Sequence, residues 1–279
     1  MPELPEVETV VRSVRPALLG RTIRDASFPL PPGRMTTIPP EQIAAQIAGQ
    51  QVTAVERRAK YILIYLERNL LAVHLKMTGR LYVRPHDEAH DWDRYLRVRF
   101  PLDNGHELRF SDARKFGRVY FGSTLVELLP ALGPEPLEDS FTRDSFRAQI
   151  AGRSGALKPL LLNQAFIAGI GNIYADEALH IARLHPLRSA SSLNEAEIDA
   201  LYEAIRQALS DGVRFQGASI QTYRQQDGSK GEAQEHLRVY HDPRSEKDKR
   251  CVNCNTPIVT IRVGGRGTHF CPTCQTLSG

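Results

Sequence analysis

Cysteine occurs only at Cys251, Cys254, Cys271 and Cys274, spaced so that two C-x-x-C knuckles stand sixteen residues apart. Two such knuckles can close a tetrahedral shell around one Zn2+. Four thiolates leave no coordination position open, so the metal predicted here is structural, and its binding holds a small module folded. In a reducing compartment, clustered cysteines favour metal over disulfides. Arg262 and Arg266 flank glycines between the knuckles, where the hairpin of a zinc ribbon would project. A guanidinium there suits phosphate, although a solvated arginine on a turn is an equally good reading.

The rest of the chain must position this chemistry. Its 279 residues are 41% hydrophobic and 24% charged, enough for a real core and a prior of two domains. The formal charge is +4, and the 42 residues from Arg238 onward, with seven basic and three acidic side chains, hold all of that excess. A polyanionic partner is implied. The start lacks the basic and apolar regions of a secretory signal, and no apolar run approaches the roughly 20 residues of a membrane span. A protein inside the cell, with no membrane partner, is expected.

Residues 5–19 read as a helix with an apolar stripe of Val7, Val10, Val11 and Val14. Short β-rich segments follow at 52–55, 61–66, 71–75, 81–83, 95–100, 107–110 and 119–121, and Asp103-Asn104-Gly105 supplies a hairpin turn. The Pro- and acid-rich segment 129–140 reads as a boundary. Beyond it come helices at 158–166 and 173–184 around an Ala168–Gly171 turn, then a capping box at Ser192–Glu195 opening a helix that ends at Gly212. The fold class is α+β: an N-terminal β-sandwich or barrel-like domain with flanking helices (1–128), a linker (129–150), a helical domain (151–237) and a zinc-ribbon module (238–279). The polar, glycine-rich stretch 217–235 reads as a mobile functional loop.

Seven blocks, in order along essentially the whole chain, resemble bacterial formamidopyrimidine-DNA glycosylase. They are Pro2–Glu8 (PELPEVE), Arg57–Tyr61 (RRAKY), His74–Met77 (HLKM), Asp112–Gly117 (DARKFG), Leu132–Leu137 (LGPEPL), Gly169–Tyr174 (GIGNIY) and the zinc ribbon. The resemblance implies a bifunctional DNA glycosylase and AP lyase acting on oxidised purines in duplex DNA, with a helix-two-turns-helix element in the second domain. Pro2, exposed by removal of Met1, would be the nucleophile that forms a Schiff base at C1′. An α-amino group titrating near 8 is more often neutral than a lysine amine near 10.4. Glu3 is carried over as general acid/base, and Glu6 as a second carboxylate whose plainer role is to complement the helix dipole.

Lys60 matches the lysine beside the lesion phosphate and Arg266 the ribbon-tip arginine, both assisting elimination. A base must be everted to be reached, and Met77, Arg114 and Phe116 match the side chains that fill the gap, although a lone Met or Phe is more often core. Asn172 and Lys158 resemble the phosphate-holding part of the helix-two-turns-helix element, joined by Tyr240. His74, in the block of the wedge methionine, and His90 and Arg153 stand near family phosphate contacts. The loop 217–235 corresponds to the lesion-recognition loop. One structural Zn2+, damaged double-stranded DNA as partner, a monomer, and a bacterial cytoplasmic location at the nucleoid complete what the resemblance implies. The rival readings are an endonuclease VIII-like enzyme for oxidised pyrimidines, disfavoured by Leu4 and the intact Met77/Arg114/Phe116 set, and a non-catalytic zinc-ribbon protein that binds distorted DNA.

Overall fold

The computed structural model describes residues 1–31, 33–219, 231–241 and 249–277. Among these residues there are two compact units: Met1–Pro2 with Glu6–Ala131, and Glu3–Pro5 with the described residues from Leu132 onward. The central part of the predicted loop, 220–230, lies outside the described residues.

The first unit takes in α1 (Leu4–Leu18) from Glu6 onward; its Val7, Val10, Val11 and Val14 are buried as the stripe predicts, and so is Leu18. It continues through β1 (Thr22–Ile23), α2 (Pro40–Ile47), β2 (Gln50–Arg58), β3 (Tyr61–Leu66), β4 (Leu70–His74), β5 (Gly79–Pro85), β6 (Leu96–Pro101), β7 (His106–Asp112), β8 (Arg118–Gly122) and the short α3 (Leu125–Leu128). The strands form two antiparallel sheets, β1-β2-β3-β4-β8 and β5-β7-β6. Val55, Ile62 and Val73 from the larger sheet share one apolar core with Val83, Val98 and Phe110 from the smaller, which makes the unit a β-sandwich flanked by helices. The expected turn between β6 and β7 is present, with Gly105 at φ 79° and Leu102 N donating to His106 O at 2.8 Å.

The second unit contains α4 (Arg143–Ile150), α5 (Leu157–Leu162), α6 (Asn172–Ile181), α7 (Glu195–Arg214) and the hairpin β9 (Val259–Val263) and β10 (Arg266–Phe270). Residues 129–150 are therefore not linker throughout. Thr142 caps α4 in a capping box, and Phe146 and Ile150 are buried in the second core. The box that opens α7 is Asn194 with Glu197, two residues after the predicted one, because Ala190–Ser192 is already a 3-10 turn. Gly212 does not end α7, which runs on to Arg214. A Cβ there would lie 2.4 Å from the Tyr174 ring, so the glycine allows close packing.

The side-chain amide of Gln164 braces the turn joining α5 to α6. Gln164 donates to Leu162 O at 3.1 Å and Ile170 O at 2.8 Å, and accepts from Gly169 N at 3.0 Å. Gly169 sits at φ 85°, and a Cβ would fall 2.7 Å from Leu4 Cδ1, so both conformation and space require glycine.

Candidate functional site

In the second unit, Glu3 is the best-held of the predicted site residues. Only 3% exposed, it accepts from the N–H groups that open α6: Gly171 at 2.9 Å, Ile173 at 3.0 Å and Tyr174 at 3.3 Å. These donors have no partner within their own helix, and the positive end of the helix dipole favours a carboxylate. Leu4 N also donates to Gly169 O at 3.0 Å, so the chain directly after Glu3 is fixed as well.

Lys158 departs from expectation. Its ammonium is fully buried, donating to Asn172 O at 3.1 Å and paired with Asp176, so it is not presented to a phosphate. Burial pulls its pKa below the usual lysine value, while Asp176 pulls the other way. The second Asp176 oxygen accepts from His269 N at 3.0 Å and lies 3.1 Å from His269 Nδ1, which ties β10 to α6. Asn172 Nδ2 reaches the same hairpin, donating to Gly267 O at 2.8 Å. Lys158 therefore braces Asn172 and the hairpin. Arg266 is exposed directly after a two-glycine turn in which Gly264 and Gly265 both have positive φ, 55° and 77°, as a two-residue hairpin of that twist requires. Tyr240 N donates to Glu177 Oε1 at 2.9 Å, and Arg153 is exposed after α4.

The first unit holds Pro2, Glu6, Lys60, His74, Met77, His90, Arg114 and Phe116. Pro2 is buried and Glu6 is 1% exposed in the first turn of α1. Lys60 follows Ala59, which takes φ 53°, and is buried rather than turned to water. Phe116 is 46% exposed with the Arg114 guanidinium 4.7 Å from its ring centroid, and Met77 is half-buried, so neither apolar side chain belongs to the core. Burial, with help from the Lys76 and Lys60 charges, pulls the His74 pKa down to about 3, so its imidazole is neutral at pH 7. Because Nδ1 accepts from Lys76 N at 3.0 Å, the proton of that neutral ring is on Nε2.

Sequence reading missed two organisers of this unit. Asp112, fully buried, accepts from Arg114 N at 3.1 Å and Gly117 N at 2.7 Å and also from the Thr78 hydroxyl. One carboxylate thus ties the turn after Met77 to the loop of Arg114 and Phe116. Arg109, 3% exposed, donates to Glu107 Oε2 at 2.9 Å, Asp93 Oδ2 at 2.9 Å and the carbonyls of Glu88, Pro85 and His86 at 2.7, 3.0 and 3.0 Å. It holds the segment that carries His90, which caps a 3-10 turn. Their residue types are visible in the sequence, but each also takes partners far along the chain, Thr78 for Asp112 and the segment from Pro85 to Asp93 for Arg109.

The four cysteine sulfurs lie within 4.8 Å of one another, with Cys251–Cys274 at 3.8 Å and Cys254–Cys271 at 3.4 Å. A tetrahedron with bonds of about 2.3 Å has edges of about 3.8 Å, so the donor set and its spacing fit one Zn2+. No helix among the described residues is long and apolar enough to cross a membrane.

Comparison with known proteins agrees along the chain. Residues 1–119 match the formamidopyrimidine-DNA glycosylase N-terminal domain, 132–224 its H2TH domain, and 248–277 the zinc finger found in FPG and IleRS. A formamidopyrimidine-DNA glycosylase of Herpetosiphon aurantiacus is 46% identical, covering 99% of this chain and 100% of its own. That of Chloroflexus aggregans is 45% identical, with 99% of each covered. The Lactococcus lactis enzyme superimposes with a TM-score of 0.86 at 32% identity, covering 98% of this chain, both bound to DNA containing an AP site (99% of that chain) and in complex with Fapy-dG DNA (100%). With all three domains matched in order and full-length relatives well above 40% identity, the chain belongs to the formamidopyrimidine-DNA glycosylase family.

Proposed function

We propose that this protein is a bifunctional DNA glycosylase and AP lyase of base excision repair that removes 8-oxoguanine and formamidopyrimidines from duplex DNA. Once Met1 is removed, the secondary amine of Pro2 attacks C1′ of the everted nucleotide. The glycosidic C–N bond breaks, the damaged base leaves, and loss of the sugar ring oxygen from C1′ gives an iminium linking Pro2 to the opened deoxyribose. Glu3 protonates that oxygen and moves protons in the later steps. β-Elimination and then δ-elimination release the 3′ and 5′ phosphates, with Lys60 and Arg266 holding them. Met77, Arg114 and Phe116 fill the vacated stack, and His74 offers Nε2–H to the backbone. Zinc, when bound, serves to hold the hairpin of Arg266 folded. Chromosomal DNA as substrate places the enzyme, acting as a monomer, in the bacterial cytoplasm at the nucleoid.

The observation that carries this reading is Glu3, a buried carboxylate adjacent to Pro2 and held by three backbone donors. Borohydride trapping on 8-oxoguanine duplex tests it. Wild type should yield a covalent adduct that peptide mass spectrometry maps to Pro2, and Glu3→Gln should slow excision by about 10²–10⁴-fold, the usual range for a lost acid–base group. An adduct at Lys60 would remove Pro2 from the mechanism, and no adduct from correctly processed protein would favour the binding-only reading. Preference for thymine glycol over 8-oxoguanine would overturn the substrate assignment.

Asp112 yields a separate expectation. In Asp112→Asn an amide N–H must replace one of the oxygens facing the Gly117, Arg114 and Thr78 donors. A buried unsatisfied group costs about 1–3 kcal/mol, so eversion, read by 2-aminopurine fluorescence beside the lesion, should weaken about 5–150-fold. Affinity for undamaged duplex should stay near wild type; an equal loss on both duplexes would mean general unfolding instead.

A further inference from the structure

His180 lies in the last turn of α6, is fully buried, and takes no part in the mechanism above. Its Nε2 is 3.3 Å from Cys251 Sγ, and its Nδ1 has no hydrogen-bonding partner among the described residues. A metal-bound thiolate has no proton and can only accept. A neutral imidazole has one N–H, and the sulfur is the acceptor within its reach, so the proton belongs on Nε2. The opposite tautomer would bury an N–H without an acceptor and set a nitrogen lone pair against the sulfur charge.

We propose that His180 is an outer partner of the zinc centre, donating Nε2–H to the Cys251 thiolate and thereby slowing zinc loss and fastening the zinc module to α6. The other donors at these sulfurs among the described residues are local to the module. Asn253 N reaches Cys251 Sγ at 3.4 Å, Cys274 N reaches Cys271 Sγ at 3.4 Å, and Thr256 Oγ1 lies 3.2 Å from Cys254 Sγ. His180 alone among them comes from outside residues 249–277. Drawing negative charge from sulfur into an N–H···S bond offsets part of the repulsion among four thiolates around one divalent ion. It also makes Cys251 a poorer target for protons and oxidants, the agents that open such centres.

Zinc transfer to a chromophoric chelator, followed for the full-length zinc-loaded protein, tests the assignment. His180→Phe keeps a planar ring but has no donor, and should release zinc about 10–100-fold faster, the usual effect of losing an outer partner. His180→Gln can place an amide N–H near the Nε2 position and should restore most of the wild-type rate. If His180 were only packing, phenylalanine would be at least as good as glutamine, because it removes the partnerless Nδ1. A wild-type release rate in His180→Phe overturns the proposal. Should that variant fail to fold, the imidazole 15N spectrum of the wild-type protein decides. A protonated Nε2 with bare Nδ1 supports the bond to Cys251, and the reverse tautomer refutes it.

Discussion

Alanine at Gly171 is expected to slow base excision by about 10²-fold or more while leaving the protein folded and zinc-loaded. Gly171 has φ −127°, which alanine adopts freely, so no backbone strain arises. The added Cβ, however, would lie 2.3 Å from Glu3 Cδ and 2.5 Å from Glu3 Oε1. Ordinary contact requires about 1 Å more, and a misplacement of that size at a reacting group can cost about 10²-fold. Glu3 cannot yield without loosening its bonds to Gly171, Ile173 and Tyr174, and Pro2 is the residue directly before it in the chain. Single-turnover excision and borohydride trapping read the effect, and circular dichroism reads the fold. Gly155→Ala is the control, since a Cβ there meets nothing within 4 Å. Because both changes act through one carboxylate, Gly171→Ala should add little to Glu3→Gln. A wild-type rate in Gly171→Ala would show that the placement of Glu3 is not what the chemistry depends on.

What could be read from the sequence follows from how far each signal reaches. The β-rich segments at 95–100 and 107–110, the Asp103-Asn104-Gly105 turn and the cysteine spacing are local, and they give the β6–β7 hairpin and the four-sulfur cluster directly. The capping box of α7 was two residues out of place because Ser192–Glu195 and Asn194–Glu197 both satisfy the same short pattern. The 3-10 turn over Ala190–Ser192, which decides between them, is not written in either.

Partner choice is harder still. The family resemblance implies a phosphate contact for Lys158, yet Asp176, eighteen residues away on α6, takes it into the interior. Asp112 stands in a block that resembles the family, but that it gathers the Thr78 hydroxyl, 34 residues earlier, with Arg114 and Gly117 depends on the pairing of β5 with β7. His180 reads as one more residue on a buried helix until Cys251, 71 residues on, is placed beside it. In each case the residue type was visible and its role came from a contact made by tertiary packing.

Removal of zinc is expected to abolish tight binding to damaged DNA, and the loss should exceed that from removing Arg266 alone. Structural zinc in comparable small modules contributes on the order of 10–16 kcal/mol, far more than a two-stranded hairpin of five-residue strands can supply by pairing β9 with β10. Without the ion, four sulfurs within 4.8 Å must take up protons or separate, and the Gly264-Gly265 turn that presents Arg266 loses its support. The damage then passes into α6. Gly267 O accepts from Asn172 Nδ2, His269 holds Asp176, and Gln275 Nε2 donates to Leu184 O at 2.9 Å while its Oε1 accepts from Cys271 N. Losing His269 leaves one Asp176 oxygen without its donors, next to the buried Lys158 ammonium that also supports Asn172 O. Arg266 and Asn172, the two positions for which the family resemblance implies phosphate contact, are therefore disordered together. At about 1.5–3 kcal/mol for each charged hydrogen bond, that is about 10²–10⁴-fold in Kd. Fluorescence anisotropy with an abasic-site duplex, for chelator-treated wild type and for Cys271→Ser with zinc content measured, reads the effect; Arg266→Ala should lose only part of it. Undiminished affinity after demonstrated zinc loss would mean that the hairpin is held by its contacts to α6, and the metal would then have no part in binding DNA.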